Sequence, residues 1–157
     1  MTAKLVPLEF EVIDEHWNVY LLSDGTKLKE KHVLLSIART DVFDAFGRPV
    51  YQPSLFTFFV PLAPEELRGE PSNVVPSPRA LVEAGMEAVR VEKVEYEEPN
   101  IYKLEDGTIA SFRVTITSIK RSLKYYDQLG MPVYIIESTV APSFEIPKSK
   151  SLWKSEE

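Results

Sequence analysis

No cysteine occurs in these 157 residues. Disulfides, thiolate metal sites and cysteine nucleophiles are therefore excluded together. Histidine is nearly as scarce: His16 and His32 are the whole supply, too few for a histidine-based metal site. Glycine is held to six scattered positions. None builds a phosphate loop or a dinucleotide fingerprint, and no serine sits in a nucleophile elbow. Apolar runs such as Phe58-Phe59-Val60 are a few residues long, far short of the roughly 20 that cross a membrane as a helix. The N-terminus, MTAKLVPLEFEV, has one lysine and no apolar stretch ahead of Glu9 and Glu11, so no signal peptide is expected. Three Asn and two Gln stand against many Lys and Glu, a bias that points to a thermophilic source. These absences describe a cytoplasmic protein without cofactor or metal.

What is present fits one domain. Apolar residues make up 44% and charged residues 27%, enough for a packed core beneath an ordinary solvated surface. The net charge of −6 is uneven. Residues 61–99 carry four basic and nine acidic side chains, whereas residues 100–157 carry eight and seven. An acidic total opposes a general polyphosphate binder, whose affinity rests on many Lys and Arg contacts.

The strongest signal is internal. NVYLLSDGT (Asn18 to Thr26) returns as NIYKLEDGT (Asn100 to Thr108), 82 positions later. Aligning Asn18–Val42 with Asn100–Lys124, then Phe43–Tyr51 with Tyr126–Tyr134, gives fourteen identities in 34 positions with one insertion, Tyr125. The identities include Ser36/Ser118, Ile37/Ile119, Arg39/Arg121, Asp44/Asp127, Gly47/Gly130 and Tyr51/Tyr134. A tandem duplication accounts for matches in this order.

Each copy reads as β structure. Leu8, Phe10 and Val12 alternate with Glu9 and Glu11, the period of a half-buried strand. Val89 and Val91 alternate, then Val94 and Tyr96 resume one step out of phase, which predicts a bulge near Glu92–Lys93. Asp24-Gly25 and Asp106-Gly107 fit two-residue type I′ turns. Phe112, Val114 and Ile116 point to one side of a long strand; in copy one Glu30, His32 and Leu34 take their places. DAFGRP and DQLGMP then turn the chain, with proline opening the next strand.

The expected fold is mainly β: a six- to eight-stranded barrel or sandwich with pseudo-twofold symmetry. Repeat one covers about 5–60, a proline-rich crossover about 61–85, and repeat two about 86–147. All of 1–147 forms one domain, because either copy alone would hold about 70 residues and be marginal. Pro64-Glu65-Glu66, closed by Gly69, predicts one helical turn in the crossover. Ser77, Pro78 and Gly85 predict a second, as cap, first position and stop. Residues 148–157 read as a loose tail.

Candidate chemistry is thin. Glu30 and His32 share a strand face; polar residues on an edge strand ordinarily face water, and the alternative is a polar pocket with His32 as acid, base or ligand. His16 follows Asp14-Glu15 in a turn-like context. Asp41, Asp44 and Asp127 fall in the two long hairpin loops, where aspartate commonly forms the turn itself. Arg39 and Arg121 are a matched pair at strand ends. Lys120, Arg121, Lys124, Tyr125 and Tyr126 interleave base and aromatic, a pattern that suits single-stranded nucleic acid. Phe56 and Phe58 share a face of a strand whose other face carries Leu55 and Phe59. Core packing on both faces is the default, and an exposed face would mark a partner surface. Trp153, between Lys150 and Lys154, suits an anchor for another chain. The sequence therefore points first to a non-enzymatic β module for protein binding, self-association or assembly. A nucleic-acid binder through 120–126 is the alternative, and a small-molecule enzyme or sensor between the long hairpin loops is the third.

Overall fold

A computed structural model describes residues 4–151; Leu152 and Trp153 lie outside the described residues. The N-terminal half runs β1 (Leu5–Leu8), β2 (Phe10–Asp14), β3 (Asn18–Leu22), β4 (Lys27–Phe43) and β5 (Pro49–Leu62). A crossover with one 3-10 turn (Glu65–Leu67) and one helix, α1 (Pro78–Ala84), leads to the C-terminal half. That half runs β6 (Met86–Val89), β7 (Val91–Tyr96), β8 (Asn100–Leu104), β9 (Ile109–Tyr126) and β10 (Pro132–Glu145). A 3-10 turn at Lys148–Lys150 follows, and Ser151 Oγ donates to the Gly47 carbonyl at 3.1 Å. No helix among the described residues is long and apolar enough to cross a membrane.

The strands form two five-stranded antiparallel sheets, and no closed barrel is found. Of the expected barrel or sandwich, the closed barrel is not found among the described residues and two separate sheets are, and six to eight strands become ten. The extra strands arise because each half's first strand is broken where it changes sheet. In the first sheet β4 is central, with β5 along one edge and β1 and β3 on the other, and β7 pairs with β3. In the second, β9 is central between β10 and the pair β6 and β8, and β2 pairs with β8. Each sheet therefore contains one short strand donated by the opposite half.

Both crossings are pinned. At Glu9, between β1 and β2, the backbone N donates to Glu105 Oε1 and the carbonyl accepts from the Glu105 N, both at 2.9 Å. At Arg90, between β6 and β7, the backbone N donates to Ser23 Oγ at 3.1 Å and the carbonyl accepts from the Ser23 N at 2.8 Å. The phase slip read at Glu92–Lys93 is present as a register shift, since Leu21 faces Lys93 while Leu22 faces Val91. A second shift follows at Glu95.

The Asp-Gly tips are not type I′ turns. Gly25 N donates to the Leu22 carbonyl at 3.0 Å and Leu22 N to the Thr26 carbonyl at 2.8 Å. Gly25 alone takes positive φ, at 88°. This is a three-residue loop with a glycine bulge, and Leu104, Gly107 and Thr108 repeat it. Asp24 stays at negative φ, and its carboxylate accepts from Thr26 N at 2.9 Å.

The crossover is ordered. Ser77 Oγ accepts from Ala80 N, Pro78 opens α1, and Gly85 closes it at φ 100°. Ahead of the helix, Gly69 N donates to the Gly130 carbonyl at 2.8 Å and Ser72 N to the Asp127 carbonyl at 2.9 Å, tying this segment to the loop between β9 and β10. Two apolar clusters form the core. One contains Leu8, Leu34, Ile37 and Tyr51 from the first half with Tyr102, Leu104, Ala110 and Phe112 from the second. The other joins Tyr20, Leu22 and Leu28 to Val89 and Ile119. Buried side chains of this size contribute about 1.5–3 kcal/mol each, and in both clusters they meet across the two halves.

Candidate functional site

The matched arginines are bound to carboxylates. Arg39 donates to Asp106 Oδ2 at 3.0 Å, and Tyr51 donates to the same oxygen at 2.7 Å. Arg121 donates to Asp24 Oδ2 at 2.9 Å, and Tyr134 donates to that oxygen at 2.7 Å. Thr108 and Thr26 Oγ1 complete the two sets through Tyr51 and Tyr134, at 2.8 and 2.7 Å. Each half's arginine and tyrosine thus hold the other half's hairpin tip. Burial opposes the charge on Asp24 and Asp106, but the tyrosine, threonine and arginine donors outweigh it and hold both below the usual carboxylate range. Burial first, then the neighbouring carboxylate, pushes Tyr51 up to about 12. Four of the fourteen identical pairs, Arg39/Arg121, Asp24/Asp106, Tyr51/Tyr134 and Thr26/Thr108, belong to these two locks. Arg121 also donates to Glu87 at 2.8 Å.

The rest of the basic and aromatic segment is divided. Lys120 is exposed beside Ile135 and Glu137. Lys124 Nζ lies 5.5 Å from the Tyr125 ring centroid. Tyr126 lies flat against Gly69, where an added Cβ would stand 2.5 Å from its ring. The structure therefore leaves Lys120 and Lys124 exposed and Tyr125 half-buried, and commits Arg121 and Tyr126 to internal contacts.

Glu30 and His32 do not face water. Both are fully buried, which overturns the solvated reading. β4 is not an edge strand, because β5 covers one side of it and β3 the other. His32 Nε2 meets the Phe112 carbonyl at 2.9 Å, an acceptor, so that nitrogen carries a proton. His32 Nδ1 meets Glu30 Oε2 at 2.9 Å, with one proton between them. Glu30 Oε1 accepts from Asn18 Nδ2 at 2.8 Å. Asn18 Oδ1 in turn meets His16 Nε2 at 3.1 Å, and His16 Nδ1 meets Asp14 Oδ1 at 3.1 Å. A polar chain therefore runs from the surface to the middle of the molecule. Burial alone would lower the His32 pKa; the bonds to Glu30 and the Phe112 carbonyl and the charges of Glu30 and Glu15 raise it. Beside this chain, Asn100 Nδ2 donates to the His32 carbonyl, while Asn100 Oδ1 is buried without a partner among the described residues. No group of three or more His, Asp or Glu suited to a metal occurs among the described residues. Asp44 and Asp127 cap their own turns, and Asp41 accepts from Lys4 N.

β5 supplies the open surface. Leu55 and Phe59 turn inward against the two clusters. Phe56 and Phe58 turn outward, 52% and 44% exposed, with ring centroids 4.7 Å apart. The default of core on both faces is wrong for these two, since no described strand or helix covers this side of the first sheet. Val60 and Leu62 continue the row, also exposed. Across the ladder, Phe58 pairs with Lys31, Val60 with Lys29 and Leu62 with Lys27. Trp17 lies under two of these lysines, with Nζ of Lys29 at 4.7 Å and of Lys31 at 5.7 Å from its ring centroid. The sequence reading missed the lysines and Trp17. The signal was the alternation Lys27, Lys29, Lys31 against Leu28, Glu30, His32, one residue type per face of β4. Trp153 lies outside the described residues.

No family model, no curated protein and no solved structure matches this chain.

Proposed function

We propose that this protein is a non-enzymatic binding or assembly module that docks a partner protein through the outer face of β4 and β5. The exposed row Phe56, Phe58, Val60 and Leu62 carries the reading. Four large apolar side chains in line on one sheet face are costly to leave in water and mark an interaction surface. Full burial of the His32–Glu30 pair supports a non-enzymatic role, since a solute reaches it only if the sheets part. A photo-reactive phenylalanine analogue at position 58 tests the proposal in lysate of the source cells. A discrete crosslinked product is expected there, and none from the same group at Ala141 on β10. Equal labelling at both positions, or none at position 58, would remove the docking reading.

The same proposal takes the two halves as a tandem duplication kept for closure of the core. The sequence identities, the reciprocal arginine–aspartate locks and the mixed composition of both clusters support it. Separately expressed halves are expected to be unfolded alone and to fold when mixed. A cooperative thermal transition from either half as a monomer would count against it.

A further inference from the structure

We infer that the partner covering this face is another chain presenting an apolar strip flanked by carboxylates. The inference rests on the docking reading above and names the chemistry of its partner. Directly opposed residues in an antiparallel ladder share a face. By that rule the apolar row of β5 shares its face with Lys27, Lys29 and Lys31 of β4. Leu21 of β3 and Lys93 of β7 are likewise opposed, and Leu21 faces Lys27, so Lys93 joins the set. None of these four lysines makes an ion pair among the described residues. Every charged side chain paired in register on this face is a lysine, with Glu92 and Glu95 at the register shifts of β7. On a chain of net charge −6 this lysine row is an electrostatic complement to acid, and such complementarity selects partners and speeds encounter.

A second copy does not fit. Face-to-face self-association offers neither copy's lysines a row of carboxylates. Edge-to-edge addition along β5 meets Pro53 and Pro61, which have no N–H to offer and lie at the same strand parity. The row is also flanked on one side only, by lysine, so the complement has a polarity: apolar residues over β5, carboxylates over β4. The Nζ atoms of Lys29 and Lys31 lie over the Trp17 ring, a cation–π contact that restrains the ammonium groups and reduces the freedom lost on binding.

A random twelve-residue peptide library displayed on phage, selected on the intact protein, tests the inference. Three proteins are compared: the wild type, Phe56→Ser with Phe58→Ser, and Lys29→Glu with Lys31→Glu. Matched circular dichroism and melting show that all three fold. Peptides retained by the wild type and lost on the serine variant are expected to combine large apolar residues with net negative charge. Their binding should weaken at least tenfold on the glutamate variant, which should itself enrich Lys and Arg. Enrichment of neutral or basic peptides on the wild type would overturn the acidic complement while leaving the docking face intact. Failure of the serine variant to lose any peptide would overturn the docking face itself. Sedimentation with phosphatidylserine vesicles provides a further arm. Stronger retention by these vesicles than by any selected peptide, lost on both variants, would replace the protein partner with an anionic membrane surface and so overturn the inference.

Discussion

The two halves carry opposite choices at positions that align in sequence. In both, a hairpin of two long strands forms one side of a sheet, and β5 and β10 are each 14 residues long. Asn18 faces Glu30 across β3 and β4, and Asn100 faces Phe112 across β8 and β9. Inside, the first half places Glu30 and His32 where the second places Phe112 and Val114. Outside, the first half shows Phe56, Phe58, Val60 and Leu62, while β10 shows Thr139, Ala141, Ser143 and Glu145, all exposed. At these aligned positions the first half is polar within and apolar without, and the second is the reverse. Fold stability alone favours the second arrangement, because polar burial costs and apolar exposure gains nothing. The outward apolar row of the first half is consistent with a surface kept for a partner. The inward polar pair is tolerated because every nitrogen and oxygen of Glu30 and His32 side chains has a hydrogen-bond partner.

The sharpest way to break this contrast is at Glu30. Glu30→Ala leaves His32 and Asn18 facing an empty space in the interior and is expected to cost about 3–5 kcal/mol in equilibrium urea unfolding. Replacing both members together, Glu30→Leu with His32→Val, gives the first half an apolar interior like that of the second. That variant should return to within about 2 kcal/mol of the wild type or exceed it. Equal losses in the single and double variants would show that the ionic pair is not what distinguishes the halves.

Next in size are the locks, where the halves are alike. Asp106→Ala and Asp24→Ala each remove a carboxylate that accepts from a tyrosine, an arginine and a backbone N–H. Each should cost about 2–3 kcal/mol by the same measurement, and the two should agree within about 1 kcal/mol. Both carboxylates are held low in the folded state. Their contribution is therefore complete above the unfolded value of about 3.9 and is lost as pH falls through the depressed folded values.

The halves should separate again at the alkaline side. His32 is raised in the folded state, so its contribution is complete below about pH 6.5 and fades as pH rises through the higher folded value. Melting temperature followed from pH 6 upward should fall in the wild type and flatten in the Glu30→Leu, His32→Val variant. A parallel decline in both would place the alkaline sensitivity elsewhere.

The smallest effects on stability belong to the outer faces. Phe56→Thr with Phe58→Ala should change unfolding free energy by no more than about 0.5–1 kcal/mol, since exposed positions contribute little. The reverse transplant, Thr139→Phe with Ala141→Phe, should leave folding intact and create a second sticky face, seen as self-association in sedimentation velocity. A monodisperse transplant would show that the apolar row alone does not make a docking surface.

Much of this molecule was legible in its sequence. The repeated nonapeptide located two hairpin tips, the Ser77-Pro78 and Gly85 signals bounded the helix, and period-two alternation placed Leu55 and Phe59 against Phe56 and Phe58. Local rules suffice there, because capping, glycine φ and strand pleat act within a few residues. Strand sharing between the sheets was not legible. Glu9 and Arg90 look like ordinary strand residues, and their role as crossing points depends on Glu105 and Ser23, 96 and 67 positions away. The fate of Glu30 and His32 was hidden for the same reason, since a strand pattern does not say whether another strand covers it.

The sequence by itself determined that the chain is β-rich, that one nonapeptide pattern recurs at Asn18–Thr26 and Asn100–Thr108, and where its turns fall, because those properties are written in short-range chemistry. Tertiary structure alone decided that the halves exchange strands, that matched Arg and Tyr residues lock the opposite tips, and that Phe56 and Phe58 remain uncovered. Burial depends on which distant segments meet, and no local pattern carries that information.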